Sequence, residues 1–158
     1  MPAGSGEPAN VGSTDGAAPA STVPLGSVAH PVTMRWVIDG NNVFGSRPDG
    51  WWNDRDGAAR RFAQSVAEWC RTHGDDIMLV FDAPVAARTF EVAGGNLQIV
   101  ESRRRGRDAA DDEIVDRVRS FDGAPCIVVT SDRGLRSRLP DSIEVMGAGR
   151  FLALLEAP

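Results

Sequence analysis

Three apolar runs in the sequence end on an aspartate: WVID at Asp39, LVFD at Asp82 and VVTSD at Asp132. A further acidic stretch, ADDEIVDRV, carries Asp111 and Asp112. Carboxylates gathered in one place repel and raise each other's pKa, so a cluster of them is chemically sensible around a cation. Oxygen ligands with no histidine or cysteine among them suit Mg2+ or Mn2+ better than zinc. One or two such ions can activate water and stabilise the charge that develops on a phosphodiester during in-line displacement, so phosphodiester hydrolysis is the implied chemistry. Taken singly, each aspartate has a plainer role as a helix cap or turn residue. Asp132 is the most cap-like, because a short helix follows it at once.

Convergence of these acids depends on the elements that carry them. MRWVID reads as a short buried strand closed by DGNN, whose glycine and asparagines suit a sharp turn. Ala59, Phe62, Val66, Trp69 and Cys70 recur at helical spacing between Asn53 or Asp54 and His73. DIMLVFDAP is a second buried strand and NLQIVES a weaker third. Asp108 is placed to cap a helix running to about Phe121. APCIVVTSD, DRGLRSRL, SIEVM and GRFLALLEA then give strand, short helix, strand and closing helix. Such alternation predicts an α/β fold with a parallel sheet and helices on both faces. All strand ends of one polarity then share an edge, the usual ligand-binding edge of open α/β sheets, and the three terminal aspartates meet there.

The helix over ADDEIVDRV sharpens the choice. Asp111, Ile114, Val115 and Val118 are spaced i, i+3, i+4, i+7, so Asp111 continues an apolar stripe. A carboxylate aimed at a core is costly unless it is paired, protonated or bound to a cation. Asp112 is rotated by about 100° from it, and Asp116 also lies on that outer side, where solvent accounts for both. Periodicity alone favours Asp111 over Asp112.

Composition narrows the alternatives. A chain of 158 residues has room for one domain, expected over residues 31–158, and the first 30 residues are rich in Pro, Ala, Gly, Ser and Thr, the composition of a disordered tail. No apolar run is long enough to span a bilayer and the start lacks the pattern of a secretory signal, so a cytoplasmic protein with no membrane contact is expected. The net charge of −5 argues against binding nucleic acid through bulk positive charge. All 17 basic residues are arginine. Without lysine, a P-loop nucleotide binder and a phospho-acceptor receiver domain are both disfavoured. His30 and His73 lie in the tail and at a helix end, which argues against a Ser-His-Asp triad. Cys70 and Cys126 sit in apolar surroundings far apart in sequence and are expected as buried free thiols.

The ordered set DGNN, ADDEI and TSD, with VFDA at Val80 to Ala83 and GAGRFLALLE at the end, resembles the NYN branch of the PIN-like ribonucleases, especially the bacterial YacP-like group. The resemblance covers about residues 34 to 156. It implies a three-layer PIN-like fold with a mainly parallel central sheet, and a divalent-metal-dependent endoribonuclease acting on RNA, with the ribosome as a further partner. Asp39, Asp111 and Asp132 would be its metal-binding carboxylates. Asn42 would orient a ligand or bond to substrate, or serve only as a turn residue. Asp112 matches a family acid and Asp82 matches the narrower group. Asn41 departs from the pattern, since relatives often carry an aromatic there. A non-catalytic RNA-binding or ribosome-associated domain, or a nuclease acting on DNA, would carry similar residues.

Arg103, Arg104, Arg105 and Arg107 precede the helix of Asp111 and are candidates for gripping flanking phosphates, against the plainer reading of a solvated loop. Arg133, Arg136 and Arg138 could extend that patch. Phe44, Trp51 and Trp52 lie near the same edge, either to stack on unpaired bases or to cover the core.

Overall fold

Parallel strands buried on both faces alternate their side chains between two cores, and the strands here do so. Trp36, Ile38, Ile77, Leu79, Phe81, Ile127 and Val129 turn to one apolar cluster, while Val37, Val80 and Val128 turn to another. The structure, a computed structural model, describes residues 31–158, and the expectation of a disordered tail over residues 1–30 lies outside the described residues. The strands are β1 (Arg35–Asp39), β2 (Asp76–Ala83), β3 (Leu97–Arg105), β4 (Cys126–Val129) and β5 (Glu144–Met146). They form one all-parallel sheet in the order β3-β2-β1-β4-β5.

Helices α1 (Gly40–Gly45), α2 (Arg55–Cys70) and α6 (Ala148–Glu156) pack on the first cluster through Val43, Phe62, Val66 and Phe151. On the opposite face, α4 (Ala109–Ser120) and α5 (Arg133–Arg138) pack through Ile114, Val115, Val118 and Leu135. The architecture is therefore the three-layer α/β arrangement expected. Each fully buried aliphatic on these faces contributes roughly 1.5 to 3 kcal/mol through removal from water.

The order of the strands reverses direction between β1 and β4, which makes their carboxyl ends the switch point of the sheet. In register, Asp39 stands opposite Val80 of β2, and Ile38 opposite Val129 of β4. Asp39, Asp82 and the Thr130–Asp132 turn consequently emerge on one edge.

Three local features differ from expectation. DGNN is not a simple turn: Asp39 caps the six-residue helix α1, anchored by buried Val43 and Phe44. Gly40 permits it, because a Cβ there would stand 2.9 Å from the Val80 carbonyl oxygen and collide with the Phe81 ring. A second short helix, α3 (Ala87–Phe90), also escaped the pattern, being too short to show a period. Third, β3 continues through Arg105 along β2, so Arg103, Arg104 and Arg105 end a strand and do not form a loop.

Asp108 does not cap α4 with its side chain. Its backbone is left-handed at φ 64°, which turns the carboxylate away from the helix amides. Asp82 fills the role from a different strand, its Oδ1 accepting the Ala110 N–H at 2.9 Å.

Candidate active site

Asp39 is 4% exposed at the end of β1. Its Oδ2 accepts from the Thr130 hydroxyl at 2.9 Å, and its Oδ1 from the Asn42 N–H at 3.4 Å. Burial pushes its carboxyl up to about 7; Asp111 and Asp82 push the same way, while the Thr130 and Asn42 bonds oppose. Thr130 is itself fully buried and also accepts the Asp132 N–H at 3.1 Å. One hydroxyl thus ties the end of β1 to the start of α5.

Asp132 caps α5, its Oδ1 accepting from Leu135 N–H at 2.8 Å, as its cap-like sequence context suggested. Asn42 reaches across the edge, where its Oδ1 accepts the Ser131 N–H at 2.8 Å. Ser131 in turn accepts the Ala148 N–H that opens α6. The neighbouring Asn41 uses its Oδ1 to accept the Asp82 N–H at 2.8 Å. Both asparagines therefore hold acid-bearing segments in place.

Asp111 is half-buried on the first turn of α4. Burial, then Asp132, Asp108 and Asp82, push its carboxyl up to about 6, with Arg138 opposing. Thr130 links Asp39 to Asp132 and Asp82 bonds to the amide next to Asp111, so the four acids neighbour one another at the switch point, and Asp39 and Asp111 are raised in part by their acidic neighbours. Asp112 points elsewhere: it pairs with Arg138 at 2.6 Å and Arg104 at 2.8 Å, and these guanidiniums hold its carboxyl below the usual range.

The donor chemistry of this locus fits a hard divalent cation, since it offers carboxylate oxygens and no histidine or cysteine. Spacing is looser than donor type. Among the described residues, no three His, Cys, Asp or Glu side chains already stand in a closed ligand set.

The arginines divide into two groups. Arg103 Nε donates to Glu113 at 2.9 Å and its Nη2 to Asp116 at 3.3 Å, while Arg104 is held by Asp112. Arg105, Arg107, Arg133 and Arg136 form no ion pair among the described residues. The aromatics divide as well. Phe44 is buried against Trp51, Phe62 and Phe81, whereas Trp52 is 57% exposed. The two cysteines are buried and free, and burial pushes both thiols up to about 11.

Thr130, Glu113 and Asn41 carry structural weight that the sequence reading did not assign them. Glu113 is 3% exposed between Arg103 and Arg117. Its i, i+4 spacing to Arg117 was the one local signal available.

The sheet order and flanking helices make a YacP-like α/β fold. It is similar to the crystal structure of Rae1 (YacP) from Bacillus subtilis, with a TM-score of 0.60, covering 77% of this chain and 72% of that chain at 20% identity. The W164L mutant of the same protein matches with a TM-score of 0.58, covering 77% of this chain and 74% of that chain, also at 20% identity. No protein-family model matches the chain, and no curated protein matches its sequence. The similarity is one of fold.

Proposed function

We propose that this protein is a divalent-metal-dependent endoribonuclease whose centre is Asp39, Asp111 and Asp132, with Asp82 beside them. The observation that carries this reading is the gathering of four carboxylates at the switch point through the Thr130 and Ala110 hydrogen bonds, two of the acids being pushed above their ordinary range. Asp39 is buried and Asp82, Asp111 and Asp132 are half-buried beside it, an arrangement unfavourable for the fold alone, and perturbed acids are a recurrent mark of function. The YacP-like fold adds weight.

When bound, Mg2+ or Mn2+ would supply an activated water and stabilise charge developing on the scissile phosphate. The protein's own part is positional. Asp39 is oriented by Thr130 and Asn42, Asp132 by the amide of Leu135, and Asp111 by its place on the first turn of α4. Arg105, Arg107, Arg133 and Arg136 would hold flanking phosphates, giving affinity without reading sequence. Arg103 and Arg104 would add little, because Glu113, Asp116 and Asp112 already engage them. We place the protein in the cytoplasm, in keeping with its two free cysteines, and among the described residues no helix is long and apolar enough to cross a membrane.

A second reading, a non-catalytic RNA-binding or ribosome-associated domain, draws on the lack of a ready-made set of three metal ligands among the described residues. Parallel assays on single-stranded RNA and DNA with Mg2+ or Mn2+ decide between the two. The nuclease reading expects RNA cleavage that disappears in Asp39→Asn and Asp111→Asn. RNA binding with no cleavage under any metal would favour the second reading.

A further inference from the structure

Beside the carboxylate locus lies a cavity of about 220 Å3 between α1, α2 and the end of β2. Its apolar walls include Phe44, Phe81 and Pro84, and its polar groups include Asn41, Arg55 and Asp56. Asp82 also lines it, and the Asp82 carboxylate reaches the first turn of α4 next to Asp111. The cavity and the proposed cleavage centre therefore share a wall. We propose that this cavity is a guanine-binding subsite, receiving the base of a nucleotide that flanks the phosphate at the carboxylate locus. The proposal rests on the ribonuclease reading for its biological sense, but not for its test.

Size and chemistry both select a base. Sites for drug-sized ligands begin at about 300 Å3, so this smaller space suits a single flat ring system. Ala59, Pro84 and Val85 give the space apolar walls for a flat ring, backed by the buried Phe44 and Phe81. Arg55 lies over the Trp51 ring at 5.9 Å and Asp82 bonds to Ala110, but two polar groups keep free capacity. Asn41 spends its Oδ1 on Asp82, but its Nδ2 has no partner among the described residues, and the exposed Asp56 carboxylate has none either. Among RNA bases only guanine presents two adjacent N–H donors on its pairing edge, at N1 and N2, which one carboxylate can accept together. Guanine O6 and N7 are acceptors, matching the Asn41 amide and the Arg55 guanidinium. Adenine and cytosine would turn a ring acceptor toward Asp56, and uracil a carbonyl on either side of a single N–H.

The test is titration of the full chain with guanosine, adenosine, cytidine and uridine 5′-monophosphates, followed by nuclear magnetic resonance at the Asn41 side-chain amide. Two variants accompany it: Asp56→Asn, on the exposed first turn of α2, and Ala59→Leu, which fills the cavity from the same helix. The expected result is preference for the guanosine nucleotide by about tenfold or more. Asp56→Asn should remove the preference, and Ala59→Leu should abolish binding. Equal binding of all four nucleotides, or a preference that survives Asp56→Asn, would overturn the subsite. Because Asp56 is exposed, its variant remains readable even if Ala59→Leu unfolds. Guanosine binding without any RNA cleavage would leave the subsite standing and remove the nuclease reading. Cleavage without guanosine preference would do the reverse.

Discussion

The Thr130 hydroxyl donates to Asp39 Oδ2 at 2.9 Å across 91 residues of sequence, inside a fully buried pocket. The same oxygen accepts the Asp132 N–H, so a single side chain sets the separation of two of the proposed metal-binding acids. Thr130→Val keeps the shape and removes both bonds. We expect destabilisation of about 1 to 3 kcal/mol, the cost of leaving buried polar groups unpaired. The Asp39 carboxyl should rise further, because the lost bond favours its charged form. Thr130→Ser should restore both properties in a urea titration monitored over pH.

Asp39 also makes stability fall with rising pH. Its folded pKa is about 7 against an ordinary 3.8, so the folded state holds the proton more tightly than the unfolded chain. The penalty begins above the unfolded value and is complete once pH passes the folded one, reaching about 4 kcal/mol. Asp111, raised to about 6, acts in the same direction. Asp39→Asn mimics the protonated form, so in metal-free buffer it should melt well above the wild type at pH 8. That advantage should shrink steadily as pH is lowered toward 4. A constant difference across the range would count against the shift.

Glu113 has the opposite sign. Burial pushes its carboxyl up, but bonds from Arg103 and Arg117 outweigh this and leave it below the usual range. Its contribution is therefore present above its unfolded pKa and lost as pH falls through the folded one. Glu113→Gln should cost about 1 to 2 kcal/mol at pH 7 and much less at pH 3. Thermal melts at the two pH values would show it.

The two adjacent tryptophans should separate cleanly. Trp51 packs edge-on against Phe44 with ring centroids 5.7 Å apart, so Trp51→Ala should destabilise by about 3 kcal/mol. Trp52 is exposed, and Trp52→Ala should change stability by no more than about 0.5 kcal/mol. If Trp52 stacks on a base, its loss should still weaken binding of single-stranded RNA, read by fluorescence anisotropy.

Much of this arrangement was legible in the sequence because parallel strands buried on both faces leave continuous apolar runs, and three of the five runs here lead to an aspartate. Asp111 stood out since it interrupts an otherwise apolar helical stripe. What the sequence concealed depends on distant partners. Glu113 lies about 200° round the helix from Asp111 and reads as a solvent-facing residue, until Arg103 at the end of β3 folds over it. Thr130 looks like one more β-branched strand residue, and only the pairing of β1 with β4 brings it to Asp39. Helix α1 spans six residues, too few for any period to appear.

The most direct test of the carboxylate centre is Mn2+ binding, followed by electron paramagnetic resonance on the full chain at pH 7.5. The wild type should bind, and Asp39→Asn and Asp111→Asn should each weaken binding by about tenfold or more. Asp112→Asn, which alters an acid already paired to Arg104 and Arg138, should bind like the wild type. Mn2+ binding that survives both Asp39→Asn and Asp111→Asn, or that fails only in Asp112→Asn, would contradict the account.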